Sequence, residues 1–392
     1  MAPTDYLWFH QPTLGPEEEQ ALAEVLRSGW LTTGPRAQAF EERFAAYVGA
    51  RRAVSLSSCT AALHLALRAL GIGPGDEVIT TPITWAATAN VIVHCGATPV
   101  FADVEPDTLN LAPAAVEARL TPRTRAVILV HFAGHPGDLD AFRSLQARHG
   151  FALIEDAAHA IEAEWGGRRV GTFGAAAAYS FYATKSLTTG EGGMLVTDDG
   201  ALADRVRSLS QHGLSLGTWT RYRADGVQHY ALLEAGYKAN MSDLQAALGL
   251  VQLGRLEAGW AARRERVGWY DALLADVGGI RPLGRRPGVR HAHHLYVILV
   301  DPGAGRDRDA VRVTLHAAGI GTGIHFPPLH LEPFYRGLLG GREGDLPVAE
   351  AAGTRVLSLP LYPGLTAEQV GRVADAVRTV VGAPPMPVTR RT

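Results

Sequence analysis

The stretch Ala53-Val54-Ser55-Leu56-Ser57-Ser58-Cys59-Thr60-Ala61-Ala62-Leu63-His64-Leu65-Ala66-Leu67 holds two kinds of pattern back to back. A short apolar run ends in serines, and the residues after them are strong helix formers, Ala and Leu. A strand, a polar cap and a helix in that order form one unit of an α/β layer fold. The same alternation repeats outward along the chain. Strands are predicted at 53–56, 77–80, 99–103, 126–130, 152–155, 177–181 and 194–197, several followed at once by turn or cap residues and then an Ala/Leu-rich helix. In doubly wound sheets ligands sit outside the carboxyl ends of the strands, so chemistry is expected at these junctions.

Beyond residue 200 the pattern changes. A long apolar helix is expected from Ser242 to Leu256, buried on several sides or at a subunit interface because Leu250 and Leu253 fall off its main stripe. A Pro/Gly/Arg-rich loop at 281–290, a strand at 294–300 and helices at 309–318 and 367–381 read as a smaller α+β unit. A chain of 392 residues is long for one domain, so the division expected is a large domain at 1–258 and a small one at 259–392.

Composition narrows the function classes. Apolar residues make up 47% and charged residues 19%, which suits a globular enzyme with a substantial core. A formal charge of −2 with no basic run argues against a nucleic-acid partner. Met1 to His10 lack a basic and apolar leader, and no stretch approaches the roughly 20 apolar residues that cross a bilayer. The two cysteines, Cys59 and Cys95, make neither a disulfide framework nor a metal-ligand spacing. The expectation is a soluble cytoplasmic protein with no membrane partner and no metal.

Three constellations at strand ends could carry chemistry. Ser57-Ser58-Cys59-Thr60-Ala61 opens a helix, where free amides and the helix dipole favour an anion; Thr60 and Ala61 would cradle a phosphate, or the serines are an ordinary N-cap. Ile154-Glu155-Asp156-Ala157-Ala158-His159 ends another strand. Its carboxylate either caps a loop or pairs with a protonated ring nitrogen, and His159 could be a satisfied core histidine. The third is Tyr179-Ser180-Phe181-Tyr182-Ala183-Thr184-Lys185 with Gly190-Glu191-Gly192-Gly193. Of 37 Lys plus Arg, only Lys185 and Lys238 are lysine. Arginine cannot form a Schiff base at neutral pH and a desolvated lysine can, so a lysine in so arginine-biased a chain points to chemistry. A phosphate cradle, a ring-nitrogen carboxylate and a Schiff-base lysine at successive strand ends are what pyridoxal phosphate (PLP) chemistry needs.

At this point the chain resembles the fold-type I, PLP-dependent nucleotide-sugar aminotransferases, the DegT-type family, over nearly its whole length. The resemblance rests on Ser28-Gly29-Trp30-Leu31-Thr32-Thr33-Gly34-Pro35, Gly75-Asp76-Glu77-Val78-Ile79-Thr80, Thr84-Trp85, Glu155-Asp156-Ala157-Ala158-His159-Ala160, Gly236-Tyr237-Lys238-Ala239-Asn240 and Ser358-Leu359-Pro360-Leu361. It implies a mainly parallel seven-stranded sheet sandwiched by helices, with a smaller C-terminal α+β domain. It implies that Lys185 carries PLP as a Schiff base, that Asp156 pairs with the pyridine nitrogen, and that His159 lies near the ring's phenolic oxygen. Trp85 would stack on the ring, and Thr60, Ala61 and Ser180 would hold the phosphate. Asn240 would reach in from the second subunit of a homodimer with shared active sites. An amino donor, glutamate as in the family, would leave its nitrogen as pyridoxamine phosphate for transfer to a keto sugar.

The stretches Ser28 to Pro35, Leu120-Thr121-Pro122-Arg123-Thr124 and Gly319 to Phe326 look most like enzymes that aminate C4 of a nucleotide-linked 4-keto pentose, known from arabinose modification of lipid A and from antibiotic aminopentoses. Trp30, Lys238 and His325 are the expected substrate contacts. Ile161-Glu162-Ala163 and Pro327-Pro328 depart from that subgroup and are expected to alter the sugar pocket. The retained Lys185 argues against the dehydratases of this fold that have histidine in its place. Amination of a keto-cyclitol or an aromatic precursor shares the same motifs and stays open, and a non-catalytic PLP-binding regulator lacks a visible DNA-binding module. His131 and His135, and His291, His293 and His294, lack the helix or acidic partners a metal site needs. Gly71-Ile72-Gly73-Pro74-Gly75 follows a helix and so fails the dinucleotide context.

Overall fold

The computed structural model describes residues 6–215, 229–303 and 306–382. Seven strands form the main sheet: β1 (Arg52–Leu56), β2 (Glu77–Thr80), β3 (Thr98–Phe101), β4 (Thr124–Val130), β5 (Ala152–Asp156), β6 (Ala176–Ser180) and β7 (Gly193–Thr197). Their order is β1-β7-β6-β5-β4-β2-β3. Neighbours from β6 through β5, β4 and β2 to β3 are parallel, and only β7 runs against those beside it. Each predicted strand is present, with ends that move by at most two residues.

The strands read as continuous apolar runs because both sheet faces are covered. Val127 and Leu129 of β4, Leu153 of β5 and Tyr179 of β6 point to one face, where Phe40, Phe44, Phe142 and Leu256 close the core. Ala126, Ile128, Ile154 and Ala178 point to the other, against Leu63, Leu67, Ile92 and Val206. The small side chains of β6 let the helix Cys59–Ala69 lie close on the sheet. That approach brings the helix N-terminus beside the ends of β5 and β6.

Ser242 caps the helix Asp243–Leu274: its Oγ accepts from the Gln245 amide at 3.3 Å, and the Gln245 side chain accepts from the Ser242 amide at 3.0 Å. This helix runs 32 residues, well beyond the predicted end, and crosses residues 258/259 without a break. Its first turns pack on the helices Pro16–Ser28 and Pro35–Val48, and it also packs on the helix Ala367–Val380 of the other core. That second core surrounds an antiparallel three-stranded sheet of Ile280–Pro282, Tyr296–Val300 and Val356–Leu359. Part of the predicted 281–290 loop is therefore strand, at Ile280–Pro282 and at Val289–Arg290. No helix among the described residues is long and apolar enough to cross a membrane.

Candidate active site

The carboxyl ends of β5 and β6, the start of the helix Cys59–Ala69 and residues 324–326 enclose a cavity of about 500 Å³. Seven of the expected site residues line it: Thr60, Trp85, Asp156, His159, Ser180, Lys185 and His325.

Asp156 is the last residue of β5 and only 5% exposed. A buried carboxylate needs donors, and three are at hand. The Thr88 hydroxyl donates to Oδ2 at 2.8 Å, the Ala158 amide donates to Oδ1 at 3.2 Å, and the Cys59 thiol lies 3.9 Å from Oδ1. Thr88 is in turn bonded to the Thr84 hydroxyl at 2.9 Å. Burial still raises the carboxyl above its usual range, so its charge depends on Thr88, Ala158 and any cation placed against it.

Lys185 follows β6 on a turn closed by its own amide to the Tyr182 carbonyl at 2.9 Å. Burial lowers its ammonium to about 8, against the opposing pull of Asp156. About a tenth is then the neutral, nucleophilic amine at pH 7, against well under 1% for an ordinary lysine.

The remaining walls are set by local geometry. Ser58 caps the helix Cys59–Ala69, its Oγ accepting from the Ala61 amide at 3.0 Å. The capping reading thus holds for that amide, while Thr60 faces the cavity and Ala61 does not line it. Gly193 sits under this turn: a Cβ there would meet the Ser58 carbonyl carbon at 2.3 Å and the Cys59 nitrogen at 2.4 Å. Trp85 is 68% exposed, its ring 6.2 Å from that of Phe326. His159 lies 4.4 Å from the His294 ring and burial keeps it neutral, with Nδ1 buried and without a hydrogen-bond partner among the described residues. The Nδ1 of His325 is bonded to the Ser358 hydroxyl at 2.8 Å, and Phe9 stacks on its ring at 5.5 Å.

Trp30, Lys238 and Asn240 do not line this cavity. Instead the Asn240 amide donates to the Thr33 hydroxyl at 2.6 Å, Lys238 donates to the Asn240 oxygen, and the Trp30 indole donates to the Thr33 carbonyl at 3.2 Å. They form a separate cluster next to the amino-terminal helices. Glu162 also differs from expectation. It is fully buried behind the site in an ion pair with Arg263 and does not line the cavity. Phe326, before the two prolines, does. Sequence reasoning passed over Thr88, Phe9 and His10, and weighed His294 only as a metal ligand; none stands in a cofactor motif, and only folding brings them here. Among the described residues no cluster of three or more His, Cys, Asp or Glu could hold a metal, and His131 is bonded to Glu155 at 3.1 Å.

The model of the DegT/DnrJ/EryC1/StrS aminotransferase family matches residues 12–378. The chain belongs to this family. It is 50% identical over 379 residues to the spore coat polysaccharide biosynthesis protein SpsC of Bacillus subtilis, covering 96% of this chain and 97% of that one. Among solved structures it resembles DesI, determined in the presence of its TDP-sugar product, with a TM-score of 0.86, 35% identity, and 97% and 94% of the two chains covered. It also resembles the PMP form of Spr1654 of Streptococcus pneumoniae, with a TM-score of 0.89, 32% identity, and 95% and 98% covered; Spr1654 is known in a PLP form too.

The family member described here is thus a fold-type I, PLP-dependent sugar aminotransferase. Its cavity fits that cofactor on features of its own. The buried Nδ1 of His159 lacks a partner among the described residues, the Asp156 carboxylate is fixed and lines the site, and a lysine amine of lowered pKa stands beside both.

Proposed function

We propose that this enzyme moves the amino group of an amino acid, L-glutamate, to C4 of a nucleotide-linked keto sugar, a 4-keto-pentose or 4-keto-6-deoxyhexose. The product would be an amino sugar for a cell-surface glycan or an antibiotic, made in the cytoplasm. The observation that carries the reading is the pairing in one cavity of the Lys185 amine with the hydrogen-bonded Asp156 carboxylate. Likeness to DesI supports a nucleotide-linked substrate, and likeness to SpsC supports polysaccharide supply.

Bound here, the cofactor supplies an electron sink for a carbon that must lose and regain a proton. Lys185 would hold it covalently and, as a free amine, would carry that proton as general acid and base. Asp156 would pair with the ring nitrogen, with Thr88 and Ala158 keeping Asp156 charged. His159 would serve the ring's phenolic oxygen. Thr60, Ala61 and Ser180 serve the phosphate, with the Ala61 amide leaving its Ser58 cap or sharing it. Trp85 excludes water from one ring face, and His325 meets a sugar hydroxyl. Asn240, Lys238 and Trp30 serve the partner's cavity in a homodimer. The exposed Tyr230, Leu232 and Leu233 lie in the same chain segment as Lys238 and Asn240 and suit burial by a second copy. The two-domain division at 1–258 and 259–392 is part of this reading, with the helix Asp243–Leu274 as the shared spine.

The test is the visible absorbance of the purified protein before and after L-glutamate. The wild type should be yellow and bleach, then regain colour when a nucleotide-linked 4-keto sugar is added. Lys185→Ala should do neither. A protein that takes up no PLP would sink the proposal.

A further inference from the structure

A second cavity of about 280 Å³ adjoins the first, sharing His10, Lys185, His294 and Leu361 as its walls. Lys185 can therefore be reached from both sides. The second cavity also contains Arg255 and Arg263, and no acidic side chain among the described residues lines it. Its polar character is built in rather than superficial. Arg263 is 3% exposed; its Nε donates to the His293 carbonyl at 3.1 Å and its Nη2 pairs with Glu162, while Nη1 makes no hydrogen bond with the described residues. Gly259, one turn earlier, lines the same space, and a Cβ there would lie 3.5 Å from that Nη1. His10, on the wall between the cavities, has a buried Nε2 without a partner among the described residues, and burial holds its ring neutral.

From this arrangement we infer that the second cavity is the donor subsite, where the side-chain carboxylate of the amino donor binds Arg263 while its amine reaches the place where Lys185 would hold the cofactor and replaces the lysine there. The inference rests on the aminotransferase reading and adds to it the group that selects the donor. Size supports the assignment. A space of about 280 Å³ lies just under the roughly 300–1,000 Å³ typical of larger ligands, so it admits an amino acid and excludes a nucleotide-linked sugar. Chemistry supports it as well. A planar guanidinium pre-set by its other bonds binds a carboxylate with little further ordering, and the neutral His10 adds a donor or an acceptor. Arg255 contributes charge at the rim, although Glu17 and Glu18 already hold its guanidinium. The buried Glu162 offsets part of the Arg263 charge, which leaves geometry, more than net charge, to select the ligand.

Filling the cavity tests this without breaking the Arg263–Glu162 pair. Gly259 lies in a helix with ordinary backbone angles, and the nearest atoms to an added Cβ are Arg263 Nη1 and Pro363 Cγ at 3.7 Å. Gly259→Leu therefore places its side chain in the donor space. Gly254→Leu, on the same helix with nothing within 4 Å of its Cβ, is the control. Glutarate binding to the holoenzyme, followed by calorimetry, needs no turnover. Gly259→Leu should weaken it by about tenfold or more, the size expected for a lost charged hydrogen bond, and Gly254→Leu should leave it unchanged. The KM for L-glutamate in the donor half-reaction should rise by a similar factor, with that for L-alanine held and the yellow absorbance intact. Wild-type protein that binds no glutarate, or Gly259→Leu that still prefers glutamate over alanine as the wild type does, overturns the inference. Glutarate binding that depends on Gly259 in a protein that glutamate fails to bleach would uphold the carboxylate site and fault the aminotransferase reading alone.

Discussion

Thr88 stands outside every motif, yet its hydroxyl is the shortest hydrogen bond that Asp156 receives, at 2.8 Å against 3.2 Å from the Ala158 amide. Thr88→Val keeps the branched shape and removes only the hydroxyl. Asp156 is 5% exposed, so water has little access to replace the lost donor. A hydrogen bond to a charged group contributes about 1.5–3 kcal/mol. If that stabilisation is needed when the cofactor ring is most electron-rich, about 1.4 kcal/mol per decade makes the donor half-reaction roughly 10- to 150-fold slower. The assay is stopped-flow loss of visible absorbance on mixing holoenzyme with L-glutamate. PLP content and the KM for glutamate should change little, because Thr88 touches neither phosphate wall nor donor. Thr88→Ser should restore most of the rate, and Thr84→Val, one bond further out, should cost only a few-fold, as expected for a neutral pair of about 1 kcal/mol. A Thr88→Val enzyme that bleaches within about twofold of the wild type would refute the argument that this hydroxyl sets the charge of Asp156.

Two further predictions concern Lys185 and the buried ion pair. Because burial lowers Lys185 to about 8 and the neutral amine is the nucleophile, the rate at which apoprotein regains colour with PLP should climb through pH 8 and level off above it; a rate still climbing at about pH 10, where an ordinary lysine titrates, would contradict the lowered value. Arg263→Leu strands the Glu162 carboxylate, which is fully buried, and should lower unfolding stability in urea by about 3–5 kcal/mol. Glu162→Leu with Arg263→Leu should recover most of that loss, and a single variant as stable as the wild type would show that the pair is not needed.

Much of the candidate site was legible because the residues that meet in the cavity are local to strand ends. Asp156 closes an apolar run, Lys185 follows another in a chain with only two lysines, and Ser58 to Ala61 open a helix. Each signal needs a few neighbouring residues and the geometry of one turn. What local pattern could not supply was long-range. Glu162 looked like a change in the sugar pocket until Arg263, 101 positions away, drew it behind the site. Trp30, Lys238 and Asn240 share motifs with the site, yet in one chain they bond to each other and to Thr33.

The seven strands, the apolar faces and the order of the strand-end motifs were settled by sequence alone, because periodicity and capping act over a few residues. The helix Asp243–Leu274 also announced its start, through Ser242 and Gln245, but not its length. Tertiary structure decided what surrounds Lys185. Thr88 reaches Asp156 across 68 positions, His10 and Arg263 meet at a second cavity, and Phe9 stacks on a histidine more than three hundred residues away. Such contacts arise when separate layers close on one another, and no local pattern encodes which side chains will then share a space.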